Sequence, residues 1–253
     1  MPADNPSEHR ERADVFLVSH GFATSRTQAQ AAIVARRVMA NGKMVTKPAQ
    51  KLSAGMTIQY EPAHSFVSRG GVKLAAALDK FGLSPEGCVC LDIGASTGGF
   101  TQVLLERGAR RVYAVDVGHG QLHKTLAADR RVIRKEGLNA RDLSLTKVPE
   151  PPQAITADVS FISLKLALPQ ALSLAANDAW AVFLVKPQFE LGRWGAPVSG
   201  VVKDDKARET ALAEVTAWVK TQGWQILGSM ESPIEGGEGN REFLLAARKS
   251  ARG

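Results

Sequence analysis

Only two cysteines, Cys88 and Cys90, occur in 253 residues. A lone C-x-C pair cannot form a disulfide framework, and it offers no second ligand cluster for structural zinc. Long apolar runs are also missing. The best of them, residues 180–185, stops at Lys186, far short of the roughly 20 residues that span a bilayer. The N-terminus (MPADNPSEHRER) is polar and carries acids, which suits neither a secretory leader nor a membrane anchor. There is no internal repeat and no low-complexity tract. With 44% hydrophobic and 23% charged residues, the chain has ample material for a packed core and is not disordered throughout. The expectation is a soluble cytoplasmic monomer that needs no metal, since no clustered His/Cys pattern suggests one.

Net charge is the unusual quantity, +7 with a pI near 9.6. It is unevenly spread. Residues 10–51 hold eight Lys and Arg against two Asp and Glu, whereas residues 65–253 hold 24 against 20. A basic small segment ahead of a nearly balanced large one suggests a polyanion-binding module, with a solvated basic face as the alternative.

The pattern within the basic segment is that of a folded module. Residues 13–20 read as a short helix ending at Gly21. Thr24 and Ser25 can cap a second helix over 26–37, with Ala29, Ala32, Ile33 and Ala35 as its apolar positions. Asn41-Gly42 is a strong hairpin signal, and residues 52–58 read as a turn and a closing strand. The runs R-A-D-V-F-L-V-S-H-G-F-A-T-S-R-T-Q-A-Q-A-A-I, V-M-A-N-G-K-M-V and K-L-S-A-G-M-T-I together resemble an S4 RNA-binding domain. The resemblance implies that the second helix and the hairpin face RNA, with Arg26, Arg36, Arg37, Lys43 and Lys47 on backbone phosphates.

Beyond residue 72 strands and helices alternate. Strands are expected over 89–93, 112–117, 132–134, 154–159 and 180–186, and a helix through residue 175 should follow the fourth. A helix over 205–220 precedes final strands at 224–230 and 242–247. Such alternation implies an α/β, doubly wound, mostly parallel sheet. The last two strands are joined only by a loop, so one should run antiparallel. The domain plan is therefore 10–64, a linker over 65–71, and 72–250.

The first strand runs into Asp92-Ile93-Gly94-Ala95-Ser96-Thr97-Gly98-Gly99 and then a helix. This is the setting of a nucleotide fingerprint, but the pattern is G-x-x-x-G-G. In a dinucleotide site the second glycine admits the pyrophosphate; Ser96 stands there instead. No G-K-[ST] follows, so a P-loop is excluded. The remaining common reading is S-adenosylmethionine, with Asp116 at the end of the second strand placed to accept ribose hydroxyls. Packing glycines and a strand-capping aspartate are the plainer alternative. Asn139 lies where it could meet the adenine, though a turn residue suits the position equally.

Strand C-termini carry the ligands in this architecture, and two charged residues sit there, Asp158 in A-D-V-S-F-I-S and Lys186 in L-V-K-P-Q-F-E. Lys73 in S-R-G-G-V-K-L precedes the sheet, where a short helix can start, and Glu242 opens the last strand. Singly, each would pass for a surface charge. As a set they match the Lys-Asp-Lys-Glu tetrad of FtsJ-like ribose 2′-O-methyltransferases. With the S4 segment in front, residues 10–248 resemble the haemolysin A-type (TlyA) ribosomal RNA methyltransferases.

That resemblance implies methyl transfer from S-adenosylmethionine to the ribose of a cytidine in 16S or 23S ribosomal RNA, or both. Lys186 would accept the hydroxyl proton, Lys73 and Asp158 would hold the hydroxyl and tune Lys186, and Glu242 would position the lysines. Arg69, in the linker, would lie close to the active face. An RNA-binding assembly factor that keeps the fold without the activity is the alternative. A cytolysin, which the family name suggests, lacks the spanning or amphipathic segments it would need. Base N-methylation is disfavoured because residues 158–161 are D-V-S-F rather than [N/D]-P-P-[Y/F]. Cytosine C5 methylation would need a nucleophilic Cys near the fourth strand, whereas Cys88 and Cys90 lie at the first and read as buried structural residues.

Overall fold

A computed structural model describes residues 10–23, 25–63, 65–192, 200–236 and 239–250. Thr24, His64, Gly237 and Glu238 lie outside the described residues, as does the N-terminal stretch before Arg10. The chain divides into two units, one ending at Arg69 and one beginning at Gly70.

The first unit runs β1 (Glu11–Arg12), α1 (Ala13–Ser19), α2 (Arg26–Val34), β2 (Val38–Ala40), β3 (Lys43–Met44), β4 (Lys51–Leu52) and β5 (Ile58–Tyr60). Strands β3, β2 and β5 form one small antiparallel sheet, and β1 pairs with β4. Phe16, Leu17, Ile33, Val38 and Leu52 form its core. Ser25 caps α2 by accepting from the Gln28 N–H at 3.2 Å. The helix ends three residues earlier than its composition suggests. Arg36 takes a left-handed φ of 57°, and the N–H groups of Arg36 and Arg37 bond back to Ile33 and Ala32. Both arginines therefore lie in the terminating turn.

Helix α3 (Arg69–Phe81) begins at the last residue of the first unit and runs for 13 residues, longer than the short helix expected there. Residues 69–71, expected in a linker, are its first turn. Then follow β6 (Val89–Ile93), α4 (Gly99–Glu106), β7 (Arg111–Asp116), α5 (Lys124–Ala127), β8 (Val132–Glu136) and β9 (Ala154–Ala157). After them come α6 (Leu164–Ala167), α7 (Pro169–Leu174), β10 (Trp180–Val185), α8 (Pro187–Glu190), α9 (Asp205–Thr221), β11 (Trp224–Glu231) and β12 (Phe243–Lys249). The single helix expected after β9 is split, because Pro169 starts a new helix and cannot continue the old one.

The sheet order is β11-β12-β10-β9-β6-β7-β8. Strands β8, β7, β6, β9 and β10 are parallel, and β12 lies antiparallel between β10 and β11. Strand order reverses between β6 and β9, which opens a crevice at their C-terminal ends. Every residue of β6, β9 and β10 is buried, as a sheet covered on both faces requires. Cys90 is buried in β6, and burial pushes its thiol up; Cys88, just before the strand, is only half-buried. Among the described residues no helix is long and apolar enough to cross a membrane.

Candidate active site

The glycine loop between β6 and α4 is built on backbone that few residues tolerate. Gly94 has φ +78°, and a Cβ there would stand 2.3 Å from the Asp158 carbonyl oxygen. Only glycine lets β6 pass so near the end of β9. Gly98 (φ +101°) caps α4 against the Leu126 and Leu122 side chains. Behind the loop, Asp92 is fully buried and accepts hydroxyl bonds from Thr101 (2.6 Å) and Thr156 (3.0 Å). Desolvation pushes its carboxyl up to about 7, against the bonds from the two threonines.

A cavity of about 460 Å³ opens above Gly94, Ser96, Asp116 and Asn139. Of the residues expected at a cofactor, those four line it. Ala95 and Thr97 shape the loop backbone, while Asp92, Gly98 and Gly99 support it from behind. The Asp116 carboxylate is oriented by the N–H groups of Ser96 and Gly118, each at 2.7 Å. Each of its oxygens keeps a lone pair for a further donor. The Asn139 side-chain oxygen accepts from Arg141, capping the short 3₁₀ turn Ala140–Asp142, so its amide NH₂ is the group left for a ligand. Gln121, Leu138, Val159 and Phe161 also line the cavity and carried no sequence signal. The apolar walls and the oriented carboxylate suit a nucleoside with a cationic tail.

The four charged residues assemble as two ion pairs. Lys186, directly after β10, places Nζ 2.6 Å from Asp158 Oδ1 and 2.9 Å from Ser160 Oγ. Lys73, on α3, donates to Glu242 Oε2 at 2.5 Å, both side chains being buried. A second cavity of about 320 Å³ is lined by Lys186, Glu242, Ser160, Phe161 and Phe189. It shares Ser160 and Phe161 with the first. Phe161 is 92% exposed with φ 64°, a strained setting for an aromatic, and its ring lies 5.2 Å from that of Phe189. Ser160, Phe161 and Phe189 were not singled out by pattern, because nothing in a short loop motif reveals which side chains will line a cavity.

Supporting contacts hold the loop after β9. Glu190 is buried and accepts from Ser163 Oγ (2.6 Å) and the Leu164 N–H (2.9 Å), with desolvation raising its carboxyl above the usual range. Gly236 packs directly on the Glu242 carboxylate, where a Cβ would fall 2.1 Å from Oε1. Among the described residues no cluster of His, Cys, Asp and Glu could hold a metal ion.

In the first unit Arg26 (58% exposed), Arg36, Lys43 and Lys47 are exposed, while Arg37 is partly committed to Pro62 O and Glu61. Arg69 opens α3 at the division between the units.

The combination defines a class, a nucleic-acid-binding module joined to a methyltransferase sheet, and two family matches agree. The S4 domain matches residues 11–58, and the FtsJ-like methyltransferase family matches residues 66–249. The chain belongs to the TlyA/haemolysin A family of FtsJ-like methyltransferases. It is 42% identical over 241 residues to the Mycobacterium tuberculosis 16S/23S rRNA (cytidine-2′-O)-methyltransferase TlyA, covering 94% of this chain and 90% of that one. Hemolysin A of Brachyspira hyodysenteriae is 41% identical over 92% of this chain and 98% of its own length. A solved structure from Streptococcus thermophilus, whose name places it with the hemolysins, is 40% identical with a TM-score of 0.77. That match covers 97% of this chain and 90% of that one.

Proposed function

We propose that this enzyme methylates the ribose 2′-hydroxyl of a cytidine in ribosomal RNA, in the 16S or 23S molecule or both, using S-adenosylmethionine. The observation that carries the reading is the junction of the two cavities. One has the oriented carboxylate of Asp116, the other has Lys186 and Glu242, and they meet at Ser160 and Phe161. S-adenosylmethionine held against Gly94, Asp116 and Asn139 supplies an electrophilic methyl group on a sulfonium.

The chain's own residues handle the acceptor. A ribose hydroxyl is a poor nucleophile until its proton leaves, and Lys186 Nζ, as the free amine after giving its own proton to solvent, is the acceptor for that proton. Asp158 Oδ1 and Ser160 Oγ fix the position of Nζ, and the Asp158 carboxylate stabilises the positive charge that develops there. Lys73 and Glu242 form the second pair. This division refines the assignment from resemblance, with Asp158 acting on Lys186 and Glu242 acting on Lys73. Most of the acceleration comes from alignment of the two substrates.

The test is mass-spectrometric mapping of ribose methylation after incubating each ribosomal RNA, free and in its subunit, with protein and labelled cofactor. Wild type should add a 2′-O-methyl group to a cytidine, and Lys186→Ala should lower the rate by about 10²- to 10⁴-fold with cofactor affinity kept. No new modification on any substrate would favour a non-catalytic assembly factor.

A further inference from the structure

The first unit contains a fully buried carboxylate. Asp14, in the first turn of α1, has no exposed surface. Arg12 donates Nε to Oδ1 at 3.0 Å and Nη2 to Oδ2 at 3.1 Å. Arg26, the first residue of α2, donates Nη2 to Oδ2 at 3.0 Å, and Gln30 donates Nε2 to the same oxygen at 2.7 Å. These hydrogen bonds, that from Arg12 above all, hold the carboxyl well below the usual carboxylate range.

A purely internal ion pair would bury its cation as well as its anion. Here the anion is inside, and the cations stand at the surface with side chains 44% and 58% exposed. Arg12 retains Nη1, and Arg26 retains Nε and Nη1, with no protein acceptor among the described residues. The carboxylate thus holds one edge of the Arg12 guanidinium and the Nη2 of Arg26, and leaves their remaining N–H groups as neighbouring donors. Two such forks, fixed by one anchor, match the oxygens of a phosphodiester. The freedom an arginine would lose on binding is already largely spent in the free protein.

We propose that Arg12 and Arg26 form a phosphate clamp for an RNA backbone, and that Asp14 is the positioning residue that orients both. The inference rests on the reading of this unit as RNA-binding. It adds Arg12 to the contact surface and gives Arg26 a defined geometry. It also separates the pair from Arg36 and Arg37, which sit on the turn after α2.

The experiment is fluorescence anisotropy of the full chain with a labelled ribosomal RNA fragment over a series of KCl concentrations. Asp14→Asn removes a negative charge, so arginines acting as plain charges would make binding tighter. The clamp demands the opposite, a loss of about fivefold or more. In an Arg12→Ala/Arg26→Ala background the same Asp14 change should cost nothing further, because its effect passes through those two side chains. Unchanged or tighter binding by Asp14→Asn overturns the clamp. So does an equal loss in both backgrounds, which marks a general fold defect. Should Asp14→Asn fail to show a cooperative melt, Arg26→Lys carries the test, because it keeps the charge and loses the fork. Weaker binding with an unchanged salt slope supports the clamp, and wild-type affinity refutes it. If Arg36→Ala/Arg37→Ala weakens binding while Asp14→Asn does not, the clamp alone falls. Wild-type binding by both arginine double variants removes the RNA-binding reading itself.

Discussion

Replacing Gly94 with alanine tests two separate demands at one residue. The first is conformational: φ is +78°, and an alanine held in the left-handed region costs about 1–2 kcal/mol. The second is steric, because the new Cβ would lie 2.3 Å from the Asp158 carbonyl oxygen and 2.9 Å from its carbon. Both are backbone atoms at the end of β9, so no side chain can swing away. Ordinary contact would require the strand end to retreat by roughly 1 Å, at an overpacking cost of about 1–3 kcal/mol. Asp158 carries the oxygen that holds Lys186 at 2.6 Å, and a 1 Å misplacement can cost about 10²-fold in rate. Gly87→Ala is the control, since Gly87 has φ +69° and a Cβ added there would meet nothing within 4 Å. It should lose only the conformational part, about 2–8 °C in Tm, with turnover preserved. Gly94→Ala should lower Tm by roughly twice as much and turnover by about 10²-fold, measured by calorimetry and labelled methyl transfer. Equal losses of Tm in the two variants, with turnover intact in both, would refute the argument.

Asp92 gives a pH prediction. Its carboxyl is raised from 3.8 to about 7 in the folded protein, so the native state holds that proton more tightly than the unfolded chain. The stabilisation is complete below about pH 4 and is lost as pH rises through 7, by up to about 4 kcal/mol. Asp92→Asn should therefore flatten this part of the stability profile in denaturant titrations between about pH 4 and 8; a difference profile without pH dependence would sink the assignment. Gly236→Ala drives a Cβ into the Glu242 carboxylate, which burial and Lys73 hold in place. Turnover should fall about tenfold or more with cofactor affinity unchanged, and Glu242→Asp in that background should restore part of it. A silent Gly236→Ala would show that the Lys73–Glu242 pair does not need its present position.

Much of the architecture was legible in the chain because it depends on neighbours in sequence. Apolar strand runs at 89–93 and 180–185, the G-x-x-x-G-G turn and the Asn41-Gly42 hairpin are local signals, and the structure has all of them. The antiparallel strand followed from a loop too short for a crossover, but its insertion between β10 and β11 did not. Helix α2 ends before its expected limit because a non-glycine residue, Arg36, adopts the left-handed turn. Propensity does not foresee such a choice when tertiary contacts reward it.

The candidate site divides in the same way. The identities of Lys73, Asp158, Lys186 and Glu242 were recognisable as a set, and Gly94 and Asp116 by their places after strands. Their partners were not. Lys73 and Glu242 are 169 residues apart, and only the tertiary fold, which brings α3 to the residue before β12, makes them a pair. The proposed clamp draws Arg12, Asp14 and Arg26 from three elements, with Asp14 and Arg26 12 positions apart, and nothing in their spacing shows that the carboxylate turns inward while the arginines stay at the surface. Residue chemistry and local backbone preference therefore determined what this protein is made to do. Which charges meet, and which are shielded from water, was decided by the fold, because burial and pairing depend on distance in space.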